Sequence, residues 1–372
     1  MTDTPAAPEP SAPAPSVTAP IAAVTIAGRP VGPGHPPFLI AEMSANHGRD
    51  LGRALAMIDA FAEAGADAVK LQTFTPDTMT LDHRGPGFVV EGGLWHGRTL
   101  YDLYGEGSLP WDWHAALFER AAARGVILFS APFDASAVAL LADLDAPAYK
   151  IASFELVDTP LIEAAAAQGK PLILSTGHAS ADDIDRALAA ARRTGSGEIV
   201  LLHCVSGYPT PVDQANVSTI PHLARTYGVP AGLSDHTLGL GAAVAAVALG
   251  AVAVEKHVTL SRDLDTLDAA FSLEPAEFAQ LAQACRDAHA ALGQPTLSPQ
   301  ASEAASAAHR RSLYVTTEVA KGTVLGPDHV RSIRPGHGLA PRHLARVLGQ
   351  KAARNLHKGE PMRWDMLAPD AD

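Results

Sequence analysis

The chain is 372 residues long, enough for one large domain and a smaller one. With 47% hydrophobic and 18% charged residues it has a globular balance, and no run approaches the roughly 20 apolar residues that a bilayer crossing needs. The formal charge of −12 argues against nucleic acid as a partner, so an anionic substrate would need a local cluster of cations working against the global field.

Residues 1–22 form a Pro/Ala-rich tail with too little apolar surface to offset its ordering entropy, and the tail is expected to be disordered. It has no basic stretch followed by an apolar run, and Cys204 and Cys285 are the only cysteines of the chain. Both features lead us to expect no secretory leader and a reducing, cytoplasmic setting. From residue 38, eight apolar runs alternate with Ala-rich amphipathic stretches. The runs are FLIAEMS (38–44), AVKLQTF (68–74), VILFSAPF (126–133), AYKIASF (148–154), PLILSTG (171–177), EIVLLHCVS (198–206), PAGLSDHT (230–237) and VAVEKHVT (252–259).

Runs that are apolar through their middles suit a parallel sheet covered on both faces. Eight successive βα units predict a closed (β/α)8 TIM barrel over residues 23–292, and no Gly-rich dinucleotide turn follows the first run. The connection over 75–113 is long enough to expect local structure or function in it. A polar, Ala/Ser-rich linker spans 293–308, and residues 309–372 read as short strands and turns of a small second domain.

In a TIM barrel the chemistry sits at the C-terminal ends of the strands. Polar residues gather there: Glu42, Lys70, Gln72, Lys150, Ser153, Glu155, Ser175, His203, Ser206, Ser234, Asp235, His236, Glu255 and His257. His236 and His257 close adjacent strands and can converge on one divalent ion, or each can bond a neighbouring carboxylate or carbonyl. His203, earlier in its strand, is a weaker candidate. Lys70 and Lys150 are costly to bury without an anion. They point to a phosphate or carboxylate site, to internal ion pairs with Glu42 or Glu155, or to a Schiff-base lysine. Glu42, Glu155 and Glu255 are candidates for acid and base work. Trp111 and Trp113 read as packing or loop anchors.

The ordered motifs IAEMSANH, DAVKLQTF, YKIASFE, ILSTG, GLSDHT and VEKHVT resemble the sialic acid synthase family. The stretch from RRSLYV through RPGHGL to NLHKGEPM looks like that family's antifreeze-like (SAF, β-clip) domain, and the resemblance runs from about residue 38 to 367. It implies condensation of phosphoenolpyruvate with an amino-sugar aldose. TPDTMTLD, GRTLYDLY, LPWDWH, CVSGYP and AFSLEP are similar to the subgroup that uses 2,4-diacetamido-2,4,6-trideoxy-L-altrose. N-acetylneuraminate- and legionaminate-forming members of the family stand as alternatives.

Carried over motif by motif, the resemblance implies that His236 and His257 hold a divalent metal, Mn with Mg or Co as substitutes. Lys70, Lys150, Ser153, Ser175, Ser206, Tyr208 and Ser234 would surround phosphoenolpyruvate. Gln72, Glu155 and Asp268 would meet the sugar, and Glu42 and Glu255 would handle water and protons. Arg334 would reach the sugar from the partner chain of a domain-swapped homodimer.

Overall fold

The computed structural model describes residues 20–92 and 95–369, so nearly all of the tail expected over 1–22 lies outside the described residues. The chain divides into two units, one ending at Gly293 and one beginning at Gln294. In the first unit the strands are β1 (Phe38–Glu42), β2 (Ala68–Thr73), β3 (Ile127–Pro132), β4 (Tyr149–Ile151), β5 (Leu172–Ser175), β6 (Ile199–Cys204), β7 (Ala231–Asp235) and β8 (Ala253–His257). They form a closed parallel barrel in which β8 pairs back onto β1, with His257 opposite Glu42.

Helices cross between the strands, and their ends follow the capping chemistry of the sequence. In the helix Ala181–Thr194, Ser180 accepts the backbone N–H of Asp183 while the Asp183 side chain reaches back. The helix His114–Arg124 ends on Gly125 at φ 67°, a conformation only glycine adopts without cost.

The strand period of two decides which residues enter the barrel. On β8, Ala253 joins the interior cluster while Val254 packs outward against the helices. The same alternation on the other strands turns Phe38, Ile40, Ala68, Phe129, Ala148, Ile173, Val200 and Leu202 inward. Val24, Ile26 and Val31 of a short N-terminal hairpin join this inner cluster. One step further along each strand the same parity brings Glu42, Lys70, Lys150, Ser175, Cys204, Ser234 and Glu255 to the cavity. A polar layer therefore rests on an apolar plug. Space inside the plug is tight: a Cβ on Gly232 would lie 2.4 Å from the carbonyl oxygen of Ala253.

Parity also removes two polar strand residues from the site. His203 and Asp235 fall on the outward positions and are buried there, away from the cavity lining. His203 Nε2 lies 2.8 Å from the Ala215 carbonyl. Asp235 accepts from Lys256 Nζ at 2.6 Å and from the Thr237 N–H at 2.9 Å.

The long connection after β2 carries two short helices, Pro76–Met79 and Leu100–Gly107, and a bridge between Val89 and Thr99. In the second unit β9 (Ser312–Val315) pairs antiparallel with β10 (Val330–Ile333) over a small core that includes Leu313, Val347, Leu356 and Met362. Among the described residues no helix is long and apolar enough to cross a membrane.

Lys256 and Asp235 are 1% and 3% exposed, so removing one partner strands a buried charge. Asp235→Ala is expected to cost about 3–5 kcal/mol in denaturant unfolding, and pairing Asp235→Leu with Lys256→Met to restore most of that loss. Equal losses in the single and double variants would show that the pair does not act as a unit.

Candidate active site

The polar layer forms the floor of a cavity of about 500 Å³ at the C-terminal end of the barrel. Every candidate named from the sequence lines it except Arg334, which follows β10 in the second unit, and the outward-facing His203 and Asp235.

At its centre are two buried lysines and two buried glutamates. Lys70 Nζ lies 2.8 Å from Glu42 Oε2 and 3.5 Å from Glu255 Oε1, and Lys150 Nζ lies 3.0 Å from both oxygens of Glu255. Lys70 thus takes the ion pair with Glu42 anticipated from the sequence, whereas the partner of Lys150 is Glu255 and not Glu155. Burial favours the neutral form of each group, and the partners decide how far each one yields. Burial raises Glu42 despite Lys70, while Lys150 and Lys70 together overcome burial and hold Glu255 below the usual carboxylate range. Burial opposes charge on Lys70 too, but Glu255 and Glu42 raise it; on Lys150 burial outweighs Glu255 and lowers it. Two carboxylates driven apart in this way can divide acid and base roles.

A second chain of contacts runs from this centre toward β1 and the loop after β8. Gln72 Nε2 donates to Glu42 Oε1 at 2.8 Å and to Ser44 Oγ at 3.0 Å, and Ser44 donates to Asp268 at 2.5 Å. Ser44 sits at φ 47°, so its hydroxyl is held by the fold in an uncommon conformation. Nothing in the sequence singled out Ser44; its contacts with Gln72 and Asp268 reveal it.

Just after β4, Ser153 Oγ accepts the Gly177 N–H at 3.1 Å, and on β5 Ser175 Oγ is buried without a partner. Ser234 Oγ lies 3.5 Å from Glu255, and Ser206 Oγ 3.7 Å from the Cys204 thiol. An unpartnered buried hydroxyl lining the same cavity as two lysines is suited to receiving an anion's oxygen. Glu155 also has a buried oxygen without a partner, and burial pushes its carboxyl up to about 7.

The two imidazoles stand with ring centroids 5.4 Å apart, and Tyr208 packs 4.3 Å from the ring of His236. His236 Nδ1 lies 2.9 Å from the Val205 carbonyl, which makes Nδ1 an N–H and places the lone pair of the neutral ring on Nε2. His257 Nδ1 is buried without a partner, and burial, followed by the charge of His236, keeps this ring well below its ordinary value. A metal-ligating imidazole must be neutral. Burial lowers His236 but Cys204 and the Val205 carbonyl raise it above its ordinary value, so an ion held by the pair would have to displace a proton from that ring. Among the described residues no group of three or more His, Cys, Asp or Glu is placed to hold a metal, and these two rings alone would be its protein ligands.

Cys204 was read only for redox setting, yet it lines the cavity 3.8 Å from His236 Nδ1. Burial opposes its ionisation, but His236, Ser153 and Ser206 bring the thiol down to about 7.

Residues 57–296 match the NeuB family and residues 310–368 the SAF domain; the chain belongs to the NeuB family. It is 42% identical to the pseudaminic acid synthase of Helicobacter pylori, over 89% of this chain and 97% of the relative. Against a pseudaminic acid synthase of Campylobacter jejuni the figures are 38%, 88% and 95%. Among solved structures, the N-acetylneuraminic acid (sialic acid) synthetase of Leptospira borgpetersenii, in complex with citrate, superposes with a TM-score of 0.69 at 34% identity, covering 76% of this chain and 94% of that one.

The raised carboxyl of Glu155 has a consequence for stability. Below pH 4.5 folded and unfolded chains both hold its proton; as pH rises toward 7 only the unfolded carboxyl ionises, so stability falls through that window. Glu155→Gln is expected to be more stable than the parent by about 1–2 kcal/mol at pH 8 and equal to it at pH 4. Unfolding curves at the two pH values check this, and a gain of equal size at both would contradict it.

Proposed function

We propose that the chain acts as a pseudaminic acid synthase, a transferase that forms a carbon–carbon bond. Phosphoenolpyruvate, 2,4-diacetamido-2,4,6-trideoxy-L-altrose and water would be converted to pseudaminic acid and phosphate. The observation that carries this reading is the buried group of Lys70, Lys150, Glu42 and Glu255 beside the paired imidazoles, within one cavity of a NeuB-family barrel. The identity to the Helicobacter pylori and Campylobacter jejuni synthases supports the choice of aldose.

His236 and His257 are the residues to hold a divalent cation, Mn with Mg or Co as substitutes, and such an ion supplies Lewis acidity at the aldehyde oxygen. Lys70 and Lys150 receive the phosphate and carboxylate of phosphoenolpyruvate, with Ser153, Ser175, Ser206, Tyr208 and Ser234 around them. Gln72, Glu155 and Asp268 orient the aldose. C3 of phosphoenolpyruvate attacks the aldehyde carbon, and Glu42, the glutamate that burial inclines toward its acid form, is the group to deliver a proton to the new alkoxide. Glu255, kept ionised by the lysines, faces the positive charge that develops at C2. Water adds to C2 and its proton returns to the carboxylate pair. The C–O bond of the tetrahedral adduct then breaks, its hydroxyl proton leaves with the phosphate, and the 2-keto acid remains. Arg334 is read as reaching the sugar from the partner chain of a domain-swapped homodimer.

Phosphate release from phosphoenolpyruvate in the presence of Mn is expected with the diacetamido altrose, to be abolished by EDTA, and to be at least about 100-fold slower with N-acetylmannosamine. His236→Ala and His257→Ala are expected to lose turnover by a factor of at least about 100 while keeping the fold. Turnover that resists EDTA and survives both substitutions would remove the metal, and turnover only with N-acetylmannosamine would move the protein to a sister activity.

A further inference from the structure

The cavity has two faces of opposite character. The floor is charged, but the wall contributed by the long β2 connection is largely apolar: Met79, Val90, Trp95, Leu100, Leu103 and Tyr104, with Phe133 just after β3. The wall is a built structure. Leu100, Leu103 and Tyr104 share one face of the helix Leu100–Gly107, whose first turn is capped by Thr99 accepting the Asp102 N–H at 3.0 Å. Behind them Phe74, 4% exposed, meets Tyr104 and Phe133 edge to face at 5.8 and 5.2 Å. Val90 is held by its N–H to the Arg98 carbonyl at 2.9 Å. Besides the Tyr104 hydroxyl and the indole N–H of Trp95, the wall side chains offer no hydrogen-bonding group, so a substrate hydroxyl pressed against Met79, Val90, Leu100, Leu103 or Phe133 would lose its water without gaining a partner.

We propose that this wall is the specificity determinant for the aldose, taking the C6 methyl group of a 6-deoxy sugar and disfavouring a C6 hydroxyl. The proposal rests on the function given above, and its geometry follows from that chemistry. The aldehyde carbon reacts with phosphoenolpyruvate over the charged floor, so the opposite end of the sugar, C5 and C6, points away from the lysines and toward the apolar face. A pocket of this kind rejects an added hydroxyl by about 100-fold. No charged side chain of the wall has to move for this; shape and the absence of partners are sufficient.

The test compares two aldoses that differ only at C6, the 2,4,6-trideoxy-L-altrose derivative and its 6-hydroxy counterpart, by kcat/KM of the full chain at saturating phosphoenolpyruvate. The parent is expected to favour the 6-deoxy sugar by about 100-fold. Leu103→Asn, which places an amide on the wall, is expected to reduce that ratio to about 10-fold or less with little change in the KM for phosphoenolpyruvate. Because Leu103 is buried, Met79→Gln, nearly isosteric and half-buried, serves as the variant that leaves the fold alone, with the ratio expected to fall in the same direction. Equal use of both sugars by the parent, or an unchanged ratio in both variants, would overturn the wall as the determinant while leaving the synthase reading intact. A parent that turns over neither sugar would overturn that reading and the wall together.

Discussion

Two lysines inside a barrel cannot stay charged without anions close by, and this constraint organises the rest of the molecule. Lys70 and Lys150 are 3% and 2% exposed, and Glu42 and Glu255 neutralise them at contact distance. The four charges cancel, so the group can be buried as a unit, yet its partners are exchangeable. An incoming phosphate or carboxylate can replace the carboxylates around the ammonium groups, because both sets of anions satisfy the same donors in the same low-dielectric layer. Burial and pairing also separate the two glutamates, leaving Glu42 as the better proton source and Glu255 as the persistent anion.

The apolar plug below and the helices around the barrel make that layer dry and fixed. The strand period places each charged side chain one step above an apolar one on the same strand: Ile40 beneath Glu42, Ala68 beneath Lys70, Ala148 beneath Lys150 and Ala253 beneath Glu255. The small residues Ala68, Ala148 and Ala253 leave room below the long polar side chains. The outward-facing Lys256–Asp235 pair beneath the helices shows the same chemistry put to a structural use, closed off by the carbonyl and N–H of Thr237.

Much of this was legible before the fold was known. Eight apolar runs read as eight strands, and their polar C-terminal ends located the site. Which parity faces inward was not legible, because runs such as EIVLLHCVS are apolar on both faces; only the structure puts Val200 and Leu202 inside and so turns His203 outward, as it does Asp235 with Leu233. Pairing across the barrel was not legible: Lys150 and Glu255 are 105 residues apart, and only closure of the sheet brings them together. Ser44 was hidden because a lone serine in a turn carries no signal until Asp268 folds back onto it. The apolar wall was hidden for a different reason. Met79, Val90 and Leu103 belong to a connection of short helices and turns, where an apolar helical face looks the same whether it meets a substrate or merely packs.

If the lysines are an anion site whose partners exchange, the two kinds of charge must affect phosphoenolpyruvate binding in opposite directions. Titration calorimetry of phosphoenolpyruvate without sugar, on the parent, Lys150→Met and Glu255→Gln, tests this directly. The account predicts that Lys150→Met weakens binding by about 100-fold, as expected for loss of a buried ionic contact, and that Glu255→Gln binds at least as tightly as the parent because a competing carboxylate is gone. Weakening of similar size in both variants would contradict it, and would mean that the ion pairs hold the barrel together and do not yield to substrate.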